Sequence, residues 1–149
     1  MKYSEEISKK LNNLLVKNYD AEKGYRNALD NVDNDRLKMY FKRRSDERKE
    51  FAEELRKEIL QYGELPKDSG SFEGTLHRNW MDLKSAFSSN NEETILEEAI
   101  RGEEASLEDY NELLEERNLP PSIDSLLIRQ KNAIRSAINS EKSKLELVS

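Results

Sequence analysis

The chain has 149 residues, 38% of them charged and 35% hydrophobic, a length that suits one domain with a single core. Its net charge of −6, from 25 basic and 31 acidic residues, repels phosphate backbones and argues against general nucleic-acid binding. The lack of cysteine excludes disulfides, thiolate metal sites and thiol catalysis, and no apolar run nears the roughly 20 residues that span a bilayer.

MKYSEEISKK carries no apolar signal-peptide core, so the expectation is a soluble, cytoplasmic protein without membrane contact. Five glycines and three prolines punctuate the chain, and between them the apolar period is 3.6 rather than 2, which predicts helices. The first helix is expected over 4–31, with Leu11, Leu14, Leu15, Ala21, Tyr25, Ala28 and Leu29 on one stripe. Asn31 to Asp35 reads as a tight connection, because Asn and Asp side chains bond a turning backbone. The second helix is expected over 35–62, with Leu37, Tyr40, Phe41, Phe51, Leu55 and Ile59 inward and Gly63 as its C-terminal cap.

A shorter helix is expected over 71–88, carrying Phe72, Leu76, Trp80, Leu83 and Phe87 at steps of four and three. Asn90 and Glu93 have the spacing of a capping box and open a helix with Leu96, Ile100, Leu107, Tyr110 and Leu114. Pro121 suits the first turn of a last helix, expected over 121–142 with Ile123, Leu126, Leu127, Ile134, Ala137 and Ile138. Past Asn139 the pattern weakens, and residues 143–149 are expected to fray. The whole chain, 1–149, reads as one all-α domain. It is a four-helix bundle of two antiparallel hairpins with an additional helix in the crossover, the ferritin-like arrangement. That crossover helix of about 18 residues would span about 27 Å at 1.5 Å per residue.

Polar residues interrupt the stripes near their middles. Asn18 and Glu22 fall between Leu15 and Tyr25, and Arg44 and Arg48 between Phe41 and Phe51. Glu103 falls between Ile100 and Leu107, and Gln130 between Leu127 and Ile134. In a bundle these meet in one layer, and two chemistries compete for it. One is a di-metal site of iron or manganese, with ligands from Glu22, Glu47, Glu98, Glu103 and Glu104 and possible help from His77. The other is a buried network of Asn18, Glu22, Tyr25, Arg44, Arg48, Glu103 and Gln130.

Ligand chemistry favours the network and no cofactor. Bundle di-metal sites use two Glu-x-x-His motifs, and this chain has one histidine, with Gly74 three residues before it. Arg48 and Arg101 stand where ligand histidines would be needed, and a guanidinium repels a cation while pairing well with a carboxylate. His77 sits at the edge of its stripe, where a hydrogen-bonded structural role outweighs ligation or acid–base work. Gly70, Ser71 and Gly74 read as a turn and helix start rather than a phosphate cradle, and no nucleophile arrangement surrounds His77. No catalytic residue is assigned.

Charge is uneven. Residues 36–49 hold seven basic and two acidic side chains; residues 92–116 hold eleven acidic and one basic, Arg101. The simpler reading is complementary solvated faces inside one bundle, and the sharper one is contact between subunits or with a protein partner.

One string of residues carries a resemblance. Its first part is Asp20, Gly24-Tyr25, Arg48, Phe51, Glu54-Leu55, Gly63, Pro66 and Ser69-Gly70. Its second is Gly74, His77-Arg78, Trp80, Leu83, Glu98, Arg101-Gly102-Glu103-Glu104 and Tyr110. Together they resemble the bacterial ferritin-like four-helix-bundle family called domain of unknown function 2383, over about Leu11 to Arg117. The specific parts are His-Arg-x-Trp and Arg-Gly-Glu-acid. The resemblance implies a ferritin-like fold, a family-like core over about 4–117, and no catalytic residues. The expected role is non-enzymatic, as a binding, structural or stress-related accessory protein. The alternatives are a degenerate di-metal carboxylate protein with oxidase, peroxidase or metal-storage activity, and a helix-presenting interaction module.

Overall fold

The structure, a computed structural model, describes residues 3–70, 92–116 and 118–148. Among the described residues there are four α-helices and no strand: α1 (Tyr3–Asn31), α2 (Asp35–Gln61), α3 (Glu92–Leu114) and α4 (Pro121–Val148). The expected helix over 71–88, with Phe72, Leu76, His77, Trp80, Leu83 and Phe87, lies outside the described residues, as does Asn90.

Local chemistry sets the helix ends. The Asn34 side chain accepts from the amides of Arg36 at 2.9 Å and Leu37 at 3.2 Å, satisfying two donors that the first turn of α2 leaves open. At the other end Gly63 takes φ 75°, its amide bonds Leu60 O at 2.9 Å, and the Glu64 amide bonds Ile59 O at 3.3 Å. This pair of bonds is a Schellman closure, which needs a left-handed residue that glycine adopts without a Cβ clash. Pro120 O accepts the amides of Ile123 and Asp124, both at 3.0 Å, to start α4 behind Pro121.

Cross-helix pairs fix the topology. α1 meets α3 through Lys17–Asp109 at 2.9 Å and Asn18–Tyr110 at 3.0 Å, and Lys10 pairs with Glu116 just past its end, so one numbering rises as the other falls. α2 meets α4 through Glu54–Arg129 at 2.7 Å and Tyr40–Glu141 at 2.7 Å, again antiparallel. α1 also packs along α2, and α3 along α4. The bundle is therefore a square in which α2 and α3 occupy diagonal corners and run the same way. The end of α2 and the start of α3 lie at opposite ends of it.

Residues 64–70 leave α2 and are tied back to the bundle. Asn12 donates to Leu65 O at 3.1 Å and accepts from the Lys67 amide at 2.9 Å, while Tyr19 and Arg56 both donate to Lys67 O. A Cβ on Gly70 would run into the Asp20 carboxylate, so the chain passes there as glycine.

The core divides in two. One apolar cluster joins Leu11, Leu15, Leu55, Ile59, Ile123, Leu127 and Ile134; the other joins Ala21, Ala28, Phe41, Ile95, Leu96 and Ala99. Two expectations need correction. α4 runs to Val148, past the expected end at 142, with Glu141 continuing its inward stripe and Leu145 packing on the second cluster. In α3 the inward face includes Ile95, Ala99 and Leu113, while Leu107 and Leu114 are only half-buried. No described helix is long and apolar enough to cross a membrane.

Candidate functional site: a buried polar layer

Between the two apolar clusters, each helix contributes a polar side chain to one connected layer. Asn18 comes from α1, Arg48 from α2, Glu103 from α3 and Gln130 from α4, and all four are buried. Arg48 is the centre. Its Nη2 pairs with the Glu103 carboxylate and its Nη1 donates to Asn18 Oδ1 at 2.8 Å. The side chains of Arg48 and Glu103 are each only 2% exposed, so the pair spans the diagonal of the square away from bulk solvent. Burial works most strongly against the Arg48 charge, but the Glu103 carboxylate with Tyr110 and Tyr25 together outweigh it and lift the guanidinium above its ordinary range.

The layer then turns. Asn18 Nδ2 donates to Leu14 O at 2.9 Å and to the Tyr110 hydroxyl at 3.0 Å. Tyr110 donates onward to Gln130 Oε1 at 2.6 Å, and Gln130 Nε2 donates to Glu54 Oε1 at 3.0 Å and Phe51 O at 3.3 Å. Arg129 closes the chain at the surface by donating to Glu54 Oε2 at 2.7 Å. Every step joins a donor to an acceptor, as a buried polar chain requires.

A second node lies above it. Glu141 Oε2 accepts from the Tyr25 hydroxyl at 2.6 Å and the Tyr40 hydroxyl at 2.7 Å, joining α4 to α1 and α2. The other oxygen, Oε1, is buried and has no partner. Burial first, and the nearby Glu103 charge second, push this carboxyl up to about 8. Burial also raises the Tyr25 and Tyr40 hydroxyls well above their ordinary range, so both stay donors.

Of the seven residues expected in the network, the structure joins Asn18, Arg48, Glu103 and Gln130 in one chain and places Tyr25 in the second node. Glu22 and Arg44 stand at its margin instead. The Glu22 carboxylate pairs with Arg26 at 2.7 Å, and only its backbone oxygen reaches the layer, accepting from Ser45 at 3.1 Å. Arg44 pairs with Glu47 at 3.0 Å and covers the Tyr40 ring at 5.4 Å. The physical reason is the 100° step of the helix, which turns Phe41, Ser45, Arg48 and Ala52 inward and leaves Arg44 on the flank.

The carboxylates considered as metal ligands are likewise spoken for. Glu22 pairs with Arg26, Glu47 with Arg44, Glu98 with Arg101 at 2.7 Å, Glu103 with Arg48, and Glu104 lies 3.7 Å from Lys142. Among the described residues no three His, Asp or Glu side chains converge as a metal ion would require. His77 lies outside the described residues.

Sequence reasoning missed Glu141 and the hydroxyl roles of Tyr40 and Tyr110. A signal for Glu141 existed: it follows Ile134, Ala137 and Ile138 at seven, four and three residues, the spacing of one helix face. The tyrosines were counted as apolar members of their stripes, which hides their polar tips.

Among the described residues, four helices around a polar layer define the class: an all-α four-helix bundle. The profile of the family described as "Domain of unknown function (DUF2383)" matches residues 6–116, and the chain belongs to that family. The match stops before α4, the helix that supplies Gln130 and Glu141. No curated protein and no solved structure matches the chain.

Proposed function

We propose that this protein is a ferritin-like bundle that works by binding or by structure, as a cytoplasmic accessory protein, rather than by catalysis. One observation carries the reading: Arg48 fills the central layer, its charge answered by Glu103 and its second nitrogen by Asn18. A fixed guanidinium at that point opposes a cation, and the carboxylates around it already hold basic partners. What the layer supplies is helix register, since sliding one hairpin by a turn would leave Glu103 buried without a counter-charge. The test is elemental analysis of protein purified without chelator, followed by iron and manganese titration. Stoichiometric binding at micromolar affinity would overturn this reading in favour of the di-metal one.

A second reading has its own support. The exposed basic side chains of α2 (Arg36, Lys42, Arg43, Lys49) and the exposed acids of α3 (Glu97, Glu104, Glu108, Glu112) stand on diagonal helices. Their outward faces point away from each other, which weakens the idea that they neutralise one another within one bundle. An interaction module presenting these faces, to a second copy or another protein, fits that placement. Sedimentation at about 50 and about 500 mM salt tests self-association, because screening at the higher salt weakens contacts between exposed charges. A single monomer boundary at both salts, over a wide protein range, would remove self-association from the reading.

A further inference from the structure

Glu141 is the last residue of α4 that is buried; from Lys142 to Val148 every side chain is half-buried or exposed. Beyond it the last turns are held by Leu145, half-buried against the second cluster, and by contacts of Lys142 and Lys144, so this carboxyl is their last buried polar tie. Its Oε2 takes two hydroxyl donors, from Tyr25 on α1 and Tyr40 on α2. Its Oε1 is fully enclosed with no hydrogen-bond partner. The charged and titratable groups facing it are Tyr25 from α1, Tyr40 and Arg44 from α2, and Glu103 from α3. Lys144, on its own helix, lies over the Tyr40 ring at 4.7 Å. The two hydroxyls and Arg44 favour the carboxylate, but enclosure and the Glu103 charge outweigh them, so the neutral acid is the form that fits: it still accepts both hydroxyls and adds no charge next to Glu103. The carboxylate would sit in a dry site beside a like charge, with one oxygen bonded to nothing.

We propose that Glu141 is a proton-operated latch: neutral, it ties the end of α4 to α1 and α2 through Tyr25 and Tyr40, and on losing its proton it lets that end go. The direction with pH follows from the native state holding a proton that the unfolded chain releases. The stabilisation is full below about 4.5, declines as pH rises, and is gone above about 8. The two tyrosines keep their protons throughout that window, so the carboxyl alone switches. Release also frees the hydroxyl end of Tyr25, whose ring lies 5.9 Å from that of Phe41.

The test is hydrogen exchange of the full chain, read by mass spectrometry at pH about 6 and about 9 and corrected for the intrinsic rate of amide exchange. The expected result is a loss of protection over 137–148 at the higher pH that exceeds any loss over 123–134. Glu141→Gln, which keeps the acceptor oxygen and cannot ionise, should show the same protection at both. The Tyr25→Phe and Tyr40→Phe double variant keeps the carboxyl but removes the ties, and should leave 137–148 weakly protected at both. Uniform loss along α4, or the same loss in Glu141→Gln, overturns the proposal. Should Glu141→Gln fail to fold, infrared spectroscopy of the unaltered chain at pH about 6.5 decides. A protonated-carboxyl carbonyl band there supports the latch, and its absence refutes it.

Discussion

Replacing Arg48 by methionine is the sharpest probe of the polar layer, because the two sides of the pair are equally buried. Methionine refills much of the volume, so the cost is electrostatic rather than a cavity. The change leaves Glu103 as an unpaired carboxylate with 2% of its side chain exposed, and removes the donor 2.8 Å from Asn18 Oδ1. Breaking a buried pair from one side costs about 3–5 kcal/mol, and an orphaned neutral acceptor about 1–3. Since such terms do not add fully, a loss of about 4 kcal/mol is expected, roughly a thousandfold in the folding equilibrium. The assay is urea unfolding of Arg48→Met, Glu103→Met and the double variant at neutral pH. The double variant should recover most of the loss, because replacing both charges by apolar groups is often neutral or better. Stability of Arg48→Met within about 0.5 kcal/mol of the parent, with unchanged slope, would refute the account of the layer as a desolvated pair.

Three further outcomes are expected. Tyr110→Phe removes the hydroxyl that accepts from Asn18 and donates to Gln130, and should cost about 1–2 kcal/mol, read as a lower urea midpoint. Gly63→Ala meets nothing within 4 Å but must hold φ 75°, so its cost, about 1 kcal/mol, should be purely of the backbone, with Gly63→Asn milder in the same titration. Asn34→Ala unties two amides of α2 and should lower stability by about 1 kcal/mol by thermal or urea melts; an unchanged melt would deny the capping role.

Much of the fold was legible because its punctuation is local. Asn34 acts through its side chain on amides two and three residues on, Gly63 and Pro121 act through their own backbones, and the structure places helix ends at all three. The polar layer was legible for a related reason: Asn18, Arg48, Glu103 and Gln130 break an apolar rhythm, and a break on an inward face has to be answered by something. Who answers whom was not legible. Arg44 and Arg48 are one turn apart on the same helix, and only the packing angle of α2 decides that Arg48 meets Glu103 while Arg44 meets Glu47. Glu141 was lost for another reason. Its exposed neighbours, Lys142 and Ser143, dilute the pattern on average although the inward face continues. Tyr40 and Tyr110 show the limit of a two-letter reading, since one side chain serves a greasy face and a hydrogen bond together.

The split of the core has a consequence for how the molecule comes apart. Two oily compartments divided by a wet-chemistry partition need not melt as one. The compartment of Leu11, Leu55 and Ile123 can stay shut while the one around Phe41, Leu96 and Ala99 breathes, because the partition between them carries its own hydrogen bonds on both faces. The expected sign is two levels of amide-exchange protection along each helix, one for each compartment.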